Sequence, residues 1–438
     1  MKWNTRITSF MMFVTMGCIT FAGNESSASD AQKTNNRFVD FRDDPRLVKP
    51  PWTGPVFHLS QNYPEAQPAA EDHPWEKFNP RTQWREYLNS VLSYCYEGNI
   101  ECDWEVQKNT EHKKWYHTPW LHWGRNGREF VHGLTSERVS QPGELAPTQV
   151  SMFQNWAIGM YNASGGYTIG KVWKDPDHPS AASFPNGTVT VKLLFTQASV
   201  AEVPYLKGSK EWQAHIYQSV AIPTNAALPR TIQTVRLLQI DVAVKDSQVG
   251  DKSGWVFGTF IYNGDRPGKT PWERMVPVGL MWGNDEGLTI AGQRAGRVPK
   301  ETIINSGPEL PFQHLGYAGR LNGPVDNPMS SCLSCHSVAQ SPANAATIVP
   351  PREVLVDSPE WLQWFRTLPS DVPFTKGATP LGYSLQLAVG LGNYQEWKNQ
   401  SETKGGFSAT DAFKPFPQTR NGDQNPKQHN CSREGLPN

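Results

Sequence analysis

The sequence predicts an α+β protein, with a large antiparallel β-rich domain followed by a C-terminal segment of short helices and loops. Three observations lead there. First, Thr188–Phe195 places Val189, Val191, Leu193 and Phe195 on one face, and Leu238, Ile240, Val242 and Val244 repeat that alternation. Second, Trp255–Tyr262 is aromatic and β-branched on both faces, as in a strand at the centre of a sheet. Third, 17 Trp with 36 Pro and 36 Gly suit strands and turns better than a helical bundle.

The elements follow in chain order. Lys2 and Arg6 precede an apolar run from Ile7 to Ala22, then small and polar residues, which is the layout of a cleaved export signal. Residues 1–22 are expected to be removed, with cleavage as late as 28, and the mature chain to be periplasmic or otherwise exported. No later run is apolar enough over roughly 20 residues to span a bilayer. Residues 23–80 read as irregular. From Thr82 to Cys95 the set Trp84, Leu88, Val91, Leu92 and Cys95 recurs at helical spacing, and Gly98 supplies a stop. Arg274–Trp282 is a further strand that Pro277 pushes toward an edge. Asn186-Gly187 and Asn263-Gly264-Asp265 mark turns. After about residue 300, Gly316, Gly319, Gly323, Pro324 and Pro328 make a loop-like stretch. Ser358-Pro359 opens a helix over Glu360–Leu368. Tyr383–Tyr394 fits either strand or helix. The expected organisation is a β-rich domain at 45–300, a cofactor-bearing region at 301–400 and a polar tail at 401–438.

Lysine plus arginine and aspartate plus glutamate stand at 41 each, so no global field recruits nucleic acid or an anionic membrane. Cys95 and Cys102 bracket a short loop that a disulfide could close in an oxidising compartment. Cys431 is then either a free thiol or a competitor for one of those two.

Chemistry concentrates at Cys332-Leu333-Ser334-Cys335-His336. Two thiols three positions apart can add to the two vinyl groups of a haem, and the adjoining imidazole then lies beneath the iron. A redox dithiol would not require the histidine, and no second cysteine pair stands at zinc spacing. The expectation is one covalent haem c on Cys332 and Cys335, with His336 as proximal iron ligand.

The far side of the iron is the open question, since no methionine follows Met329. Met275 or Met281 from the upstream domain, or His429 from the tail, are the candidates for a sixth ligand; otherwise the position is open. His112, His117 and His122 fit packed aromatic loops better than a metal site, and Arg125, Arg128 and Arg138 are candidates to pair with haem propionates.

The ordered series Phe184-Pro185-Asn186-Gly187-Thr188, Val244-Lys245-Asp246, Gly254-Trp255-Val256-Phe257, then CLSCH with Ala339 beyond, resembles the β-sheet cytochrome c′ family and its hydroxylamine-oxidising relatives with a lysine–haem crosslink. The resemblance covers roughly residues 180–340. It implies an antiparallel sheet with a c-haem near its C-terminus, a distal side without a protein ligand, and Lys192 at the place of the crosslinking lysine. Three functions stand. The chain could be a monohaem c-type cytochrome in electron transfer with a redox partner protein. It could instead be a five-coordinate haem protein that binds a small gas or oxidises a small nitrogen compound. Or it could be a haem-bearing scaffold subunit of a redox complex.

Overall fold

Alternating apolar residues organise the chain around one large antiparallel sheet. The computed structural model describes residues 43–69, 72–121, 127–217, 229–250 and 252–403, all within one compact unit, Phe38–Asn438. The expected export segment at residues 1–22, His122, Arg125, His429, Cys431 and residues 404–438 lie outside the described residues.

Nine strands form the sheet: β1 (Trp115–Tyr116), β2 (Thr135–Ser140), β3 (Phe153–Asn162), β4 (Val189–Thr196), β5 (Glu211–Tyr217), β6 (Arg230–Lys245), β7 (Trp255–Tyr262), β8 (Met275–Met281) and β9 (Thr302–Ile304). Their order is β1-β3-β4-β6-β7-β8-β9, with β2 also on β3 and β5 also on β6. Strand β6 is long enough to divide one edge between two partners. Its Arg230–Arg236 half pairs with β5 and its Gln239–Lys245 half with β7. A two-stranded ribbon, β10 (Gln340–Ser341) with β11 (Thr379–Pro380), stands apart. The helices are α1 (Trp84–Tyr96), α2 (Ala163–Val172), α3 (Ile290–Arg294), α4 (Cys332–His336) and α5 (Leu385–Thr403). The fold is thus α+β and mostly β.

The expected strands at 188–195 and 255–262 are β4 and β7, and every residue of β7 is buried. Arg274–Trp282 is also a strand, but not an edge. Strand β8 has β7 on one side and β9 on the other. Pro277 is tolerated because it falls at a register shift opposite Phe260, beyond the three residues that β9 pairs. The helix expected from Thr82 is α1, which ends before Gly98 at φ 74°. Tyr383–Tyr394 resolves as helix from Leu385, burying Leu387 and Leu391. The Glu360–Leu368 helix is only a 3₁₀ turn, Trp361–Phe365, entered by a Trp361 N–H that donates to Ser358 Oγ at 3.1 Å.

The expected Cys95–Cys102 disulfide is absent. Cys95 is a free, fully buried thiol, while Cys102 is disulfide-bonded to a residue other than Cys95. The helix explains the error. Cys95 continues the apolar stripe of Leu88, Val91 and Leu92 and so turns inward, whereas Cys102 lies past the Gly98 turn.

Strand parity sorts the sheet into two faces. Val191, Val242, Gly258 and Leu280 are cross-strand neighbours on the face that α1 covers. There the missing side chain of Gly258 admits Leu88, whose Cδ2 would lie 2.3 Å from an added Cβ. The opposite face carries Gly159, Lys192, Asp241 and Thr259 in one row. Gln386 of α5 lies over that row at Gly159, whose added Cβ would fall 2.2 Å from its amide nitrogen.

Candidate functional site

The site is built where α4 meets this second, polar face. Helix α4 is a single turn, begun by a reciprocal cap. The Ser334 N–H donates to Ser331 Oγ at 3.1 Å, and the Ser331 N–H donates to Ser334 Oγ at 2.8 Å. Ser331 Oγ in turn donates to Asn284 Oδ1 at 2.9 Å. Asn284 is held by Arg320, whose Nε donates to the Asn284 carbonyl at 2.7 Å. The remaining Arg320 nitrogens donate to the carbonyls of Tyr317, Asp285 and Leu288. Arg320 is fully buried and lies over the rings of Tyr317 and Phe365. A buried guanidinium therefore fixes the loop on which the CLSCH turn begins.

The three expected site residues are brought together on that turn. Cys332 and Cys335 are free and half-buried. Cys332 Sγ lies 3.9 Å from Thr259 Oγ1 of β7. Burial pushes both thiols up, Cys335 to about 11, and the nearby Asp326 adds to it. Neither is an activated thiolate.

His336 packs on Phe257 with ring centroids 4.8 Å apart. Its Nδ1 lies 2.8 Å from the Tyr383 carbonyl, which as an acceptor fixes the N–H on Nδ1. Nε2 makes no hydrogen bond among the described residues. Burial brings the imidazole pKa down to about 4, against the pull of that carbonyl, so the ring is neutral with a lone pair on Nε2. Tyr383 holds the carbonyl in an uncommon conformation, φ 69° directly after Gly382 at φ 58°. Its own hydroxyl, donating to the Leu368 carbonyl at 2.7 Å, pins it there.

The polar row opposite is a charge cluster. Lys192 Nζ pairs with Glu137 at 2.9 Å, and its side chain is 34% exposed. Burial opposes its charge, but Glu137, Asp241 and Asp326 outweigh that and hold its pKa above the ordinary value. Asp241 is pushed up to about 7, first by burial and then by Asp326, with Lys192 pulling the other way. Asp326 is raised by burial as well. Gln239 Nε2 bridges the two carboxylates, at 2.9 Å from both Asp241 oxygens and 3.3 Å from Asp326 Oδ2. Thr259 Oγ1 donates to Asp241 Oδ1 at 2.9 Å, so one hydroxyl stands between that carboxylate and Cys332.

Of the candidates for the far side of an iron, Lys192 is brought to the site, and its charge acts on both Cys335 and His336. Met281 is fully buried and pairs with Phe257, the residue packed on His336. Met275 pairs with Tyr262 at the other end of β8. Arg138 is ion-paired with Glu144. Arg128 is buried and donates to the Gly133 carbonyl, and His117 is buried with Nδ1 accepting from the Ser60 N–H.

Asp241, Asp326, Thr259, Tyr383 and Arg320 belong to the site but are not among the residues expected from the sequence. Asp241 alone had a usable signal. It interrupts the apolar run at the parity of Gln239, on the face opposite Ile240 and Val242.

These residues fit a haem c. Two unpaired thiols and an imidazole with a free, unprotonated Nε2 share one turn, and the second imidazole nitrogen is already oriented by a carbonyl. Among the described residues no group of three or more His, Cys, Asp or Glu side chains is gathered as a metal cage, and no helix is long and apolar enough to cross a membrane. Comparison with family models, curated proteins and solved structures finds no match to this chain.

Proposed function

We propose that the chain is an exported protein carrying one haem c, held by thioethers from Cys332 and Cys335 with His336 Nε2 on the iron, and that it works in one-electron transfer. The observation that carries this is the turn itself: two free thiols beside a neutral histidine whose Nδ1–H is already committed to the Tyr383 carbonyl. When bound, the haem supplies a centre that takes up and releases one electron. The chain's own part is to orient. Tyr383 fixes the ring and raises its basicity as a ligand, Phe257 packs its face, and the Ser331 cap fixes the turn.

The test is purification from a host competent in c-type haem attachment, followed by haem staining on a denaturing gel and a pyridine haemochrome spectrum. One covalent haem per chain is expected, lost in Cys332→Ala with Cys335→Ala. A colourless chain in which both Cys332 and Cys335 titrate as thiols overturns the reading. The periplasmic location is tested on the same cells by fractionation.

A second reading is favoured by Lys192. A lysine facing the haem-binding turn from a central strand, in a chain with no methionine after Met329, supports the likeness to the β-sheet cytochrome c′ family. The partner would then be a small molecule at an open iron rather than a redox protein. The two separate by spectrum. A methionine–iron charge-transfer band removes the open site; a high-spin spectrum that answers to carbon monoxide or nitric oxide removes the simple carrier.

A further inference from the structure

Two half-buried carboxylates beside one lysine are more than that lysine needs. Glu137 already pairs with Lys192 at 2.9 Å, so Asp241 and Asp326 add two potential negative charges to a neutralised pair. The two carboxyls share the Gln239 amide, and the repulsion of Asp326 raises the affinity of Asp241 for a proton. The groups that act on Asp241 are Lys192 from β4, Gln239 from β6, Thr259 from β7 and Asp326 from the loop before α4, and Asp241 in turn acts on Cys332 of α4; Glu137 of β2 acts on Lys192 and Asp326. Thr259 links the carboxylate to the attachment sulfur through contacts of 2.9 and 3.9 Å.

We infer that the Asp241–Asp326 pair is a proton-binding site linked to the electron carried beside His336, so that reduction of the protein is accompanied by proton uptake at this pair. The inference rests on the proposed haem. The step balances simply. A one-electron donor, a reduced redox protein in the cell or dithionite in the test, gives one electron. Water gives one proton, and one O–H bond forms on a carboxylate oxygen; oxidation returns both. Linkage follows from charge. A centre one unit more positive when oxidised favours the ionised carboxylate, and one unit less positive when reduced favours the acid. Asp241, at about 7, titrates where such a bias changes its occupancy, and the Lys192 ammonium keeps the pair from binding two protons there.

The experiment is a spectroelectrochemical titration of the haem-loaded protein over about two pH units either side of neutrality, with redox-difference infrared spectra in ordinary and heavy water. The midpoint potential is expected to fall as pH rises, approaching about 59 mV for each tenfold drop in proton concentration near neutrality, the one-electron equivalent of a tenfold change in an equilibrium constant. A carboxylic C=O band that shifts in heavy water should accompany reduction. Asp241→Asn should flatten the potential and abolish the band. Asp326→Asn should instead move the sloping window to lower pH, because it removes the repulsion that raises Asp241. A flat potential in the wild type, or a slope that both variants leave unchanged, overturns the inference. Should Asp241→Asn not fold, Asp326→Asn and the wild-type infrared band decide. A chain that binds no covalent haem removes the proposed function, and this inference falls with it; a flat potential in a haem-bearing chain removes the inference alone.

Discussion

The central sheet and residues 283–384 press against each other but are held together in different ways. In β4, β6 and β7 the ladder satisfies the backbone, which leaves Leu193, Ile240 and Phe260 free to be wholly apolar and wholly buried. In 283–384 no strand exceeds three residues and no helix exceeds five, yet much of the chain is buried. Side chains do there what the ladder does in the sheet. Arg320 reaches four carbonyls, Asp357 accepts from the Ile290 and Ala291 N–H groups at 3.0 Å, and Asn322 donates to the Asn327 carbonyl at 2.7 Å. The sheet is held by many small terms, the segment by a few polar pins. Loss of one pin strands several backbone groups at once.

The sharpest test of that contrast is Arg320→Ala. It takes a donor from four carbonyls, of which those of Asn284 and Leu288 have no other among the described residues, at about 1–3 kcal/mol for each one stranded, so a loss of about 2–6 kcal/mol is expected. In urea, fluorescence from the Trp361 region should move before the far-ultraviolet circular dichroism of the sheet. Coincident transitions would mean that the two regions form one cooperative unit. Leu193→Ala, deep in β4, should cost about 2–5 kcal/mol and shift both signals together.

An acid limb of stability probes the two regions separately. Burial depresses His132, stacked on Trp212 beside the sheet, to about 4, and His314, in the loop segment, to about 3. A histidine held neutral in the fold contributes stability that is present above its unfolded pKa of about 6.5 and is lost as pH falls toward the folded value. Stability should therefore decline below about pH 6.5, down to about pH 4 for His132 and about pH 3 for His314. His132→Gln should flatten that decline in the sheet signal and His314→Gln in the segment signal, checked by denaturation at a series of pH values. The smallest effect is expected of Ser331→Ala. Loss of the cap should cost about 1 kcal/mol. An unchanged urea midpoint in this variant would show that the cap adds nothing to the turn.

The same contrast governs what could be read in the sequence. Strand β7 was legible to the residue, because alternation and bulk are local properties of Trp255–Tyr262. CLSCH stood out because two thiols and an imidazole within five residues are a local property of the sequence. Arg320, Asn284 and Tyr383 were not, since each acts through backbone groups of distant residues and carries no local periodicity. Pro277 misled in the opposite direction. Its missing N–H argued for an edge, and a bulge plus a short neighbour removed the need for one. Cys95 and Cys102 misled because nearness along the chain says nothing about which way a helix turns a side chain.

Tyr383 also sets a temporal order. The carbonyl that orients His336 belongs to a residue 47 positions later, beyond β10, the 3₁₀ turn and β11. In a chain threaded N-terminus first, all nine strands and the CLSCH turn emerge before this clasp. A chain cut between Ser337 and Gly382 would keep every strand of the sheet and present the histidine unfastened.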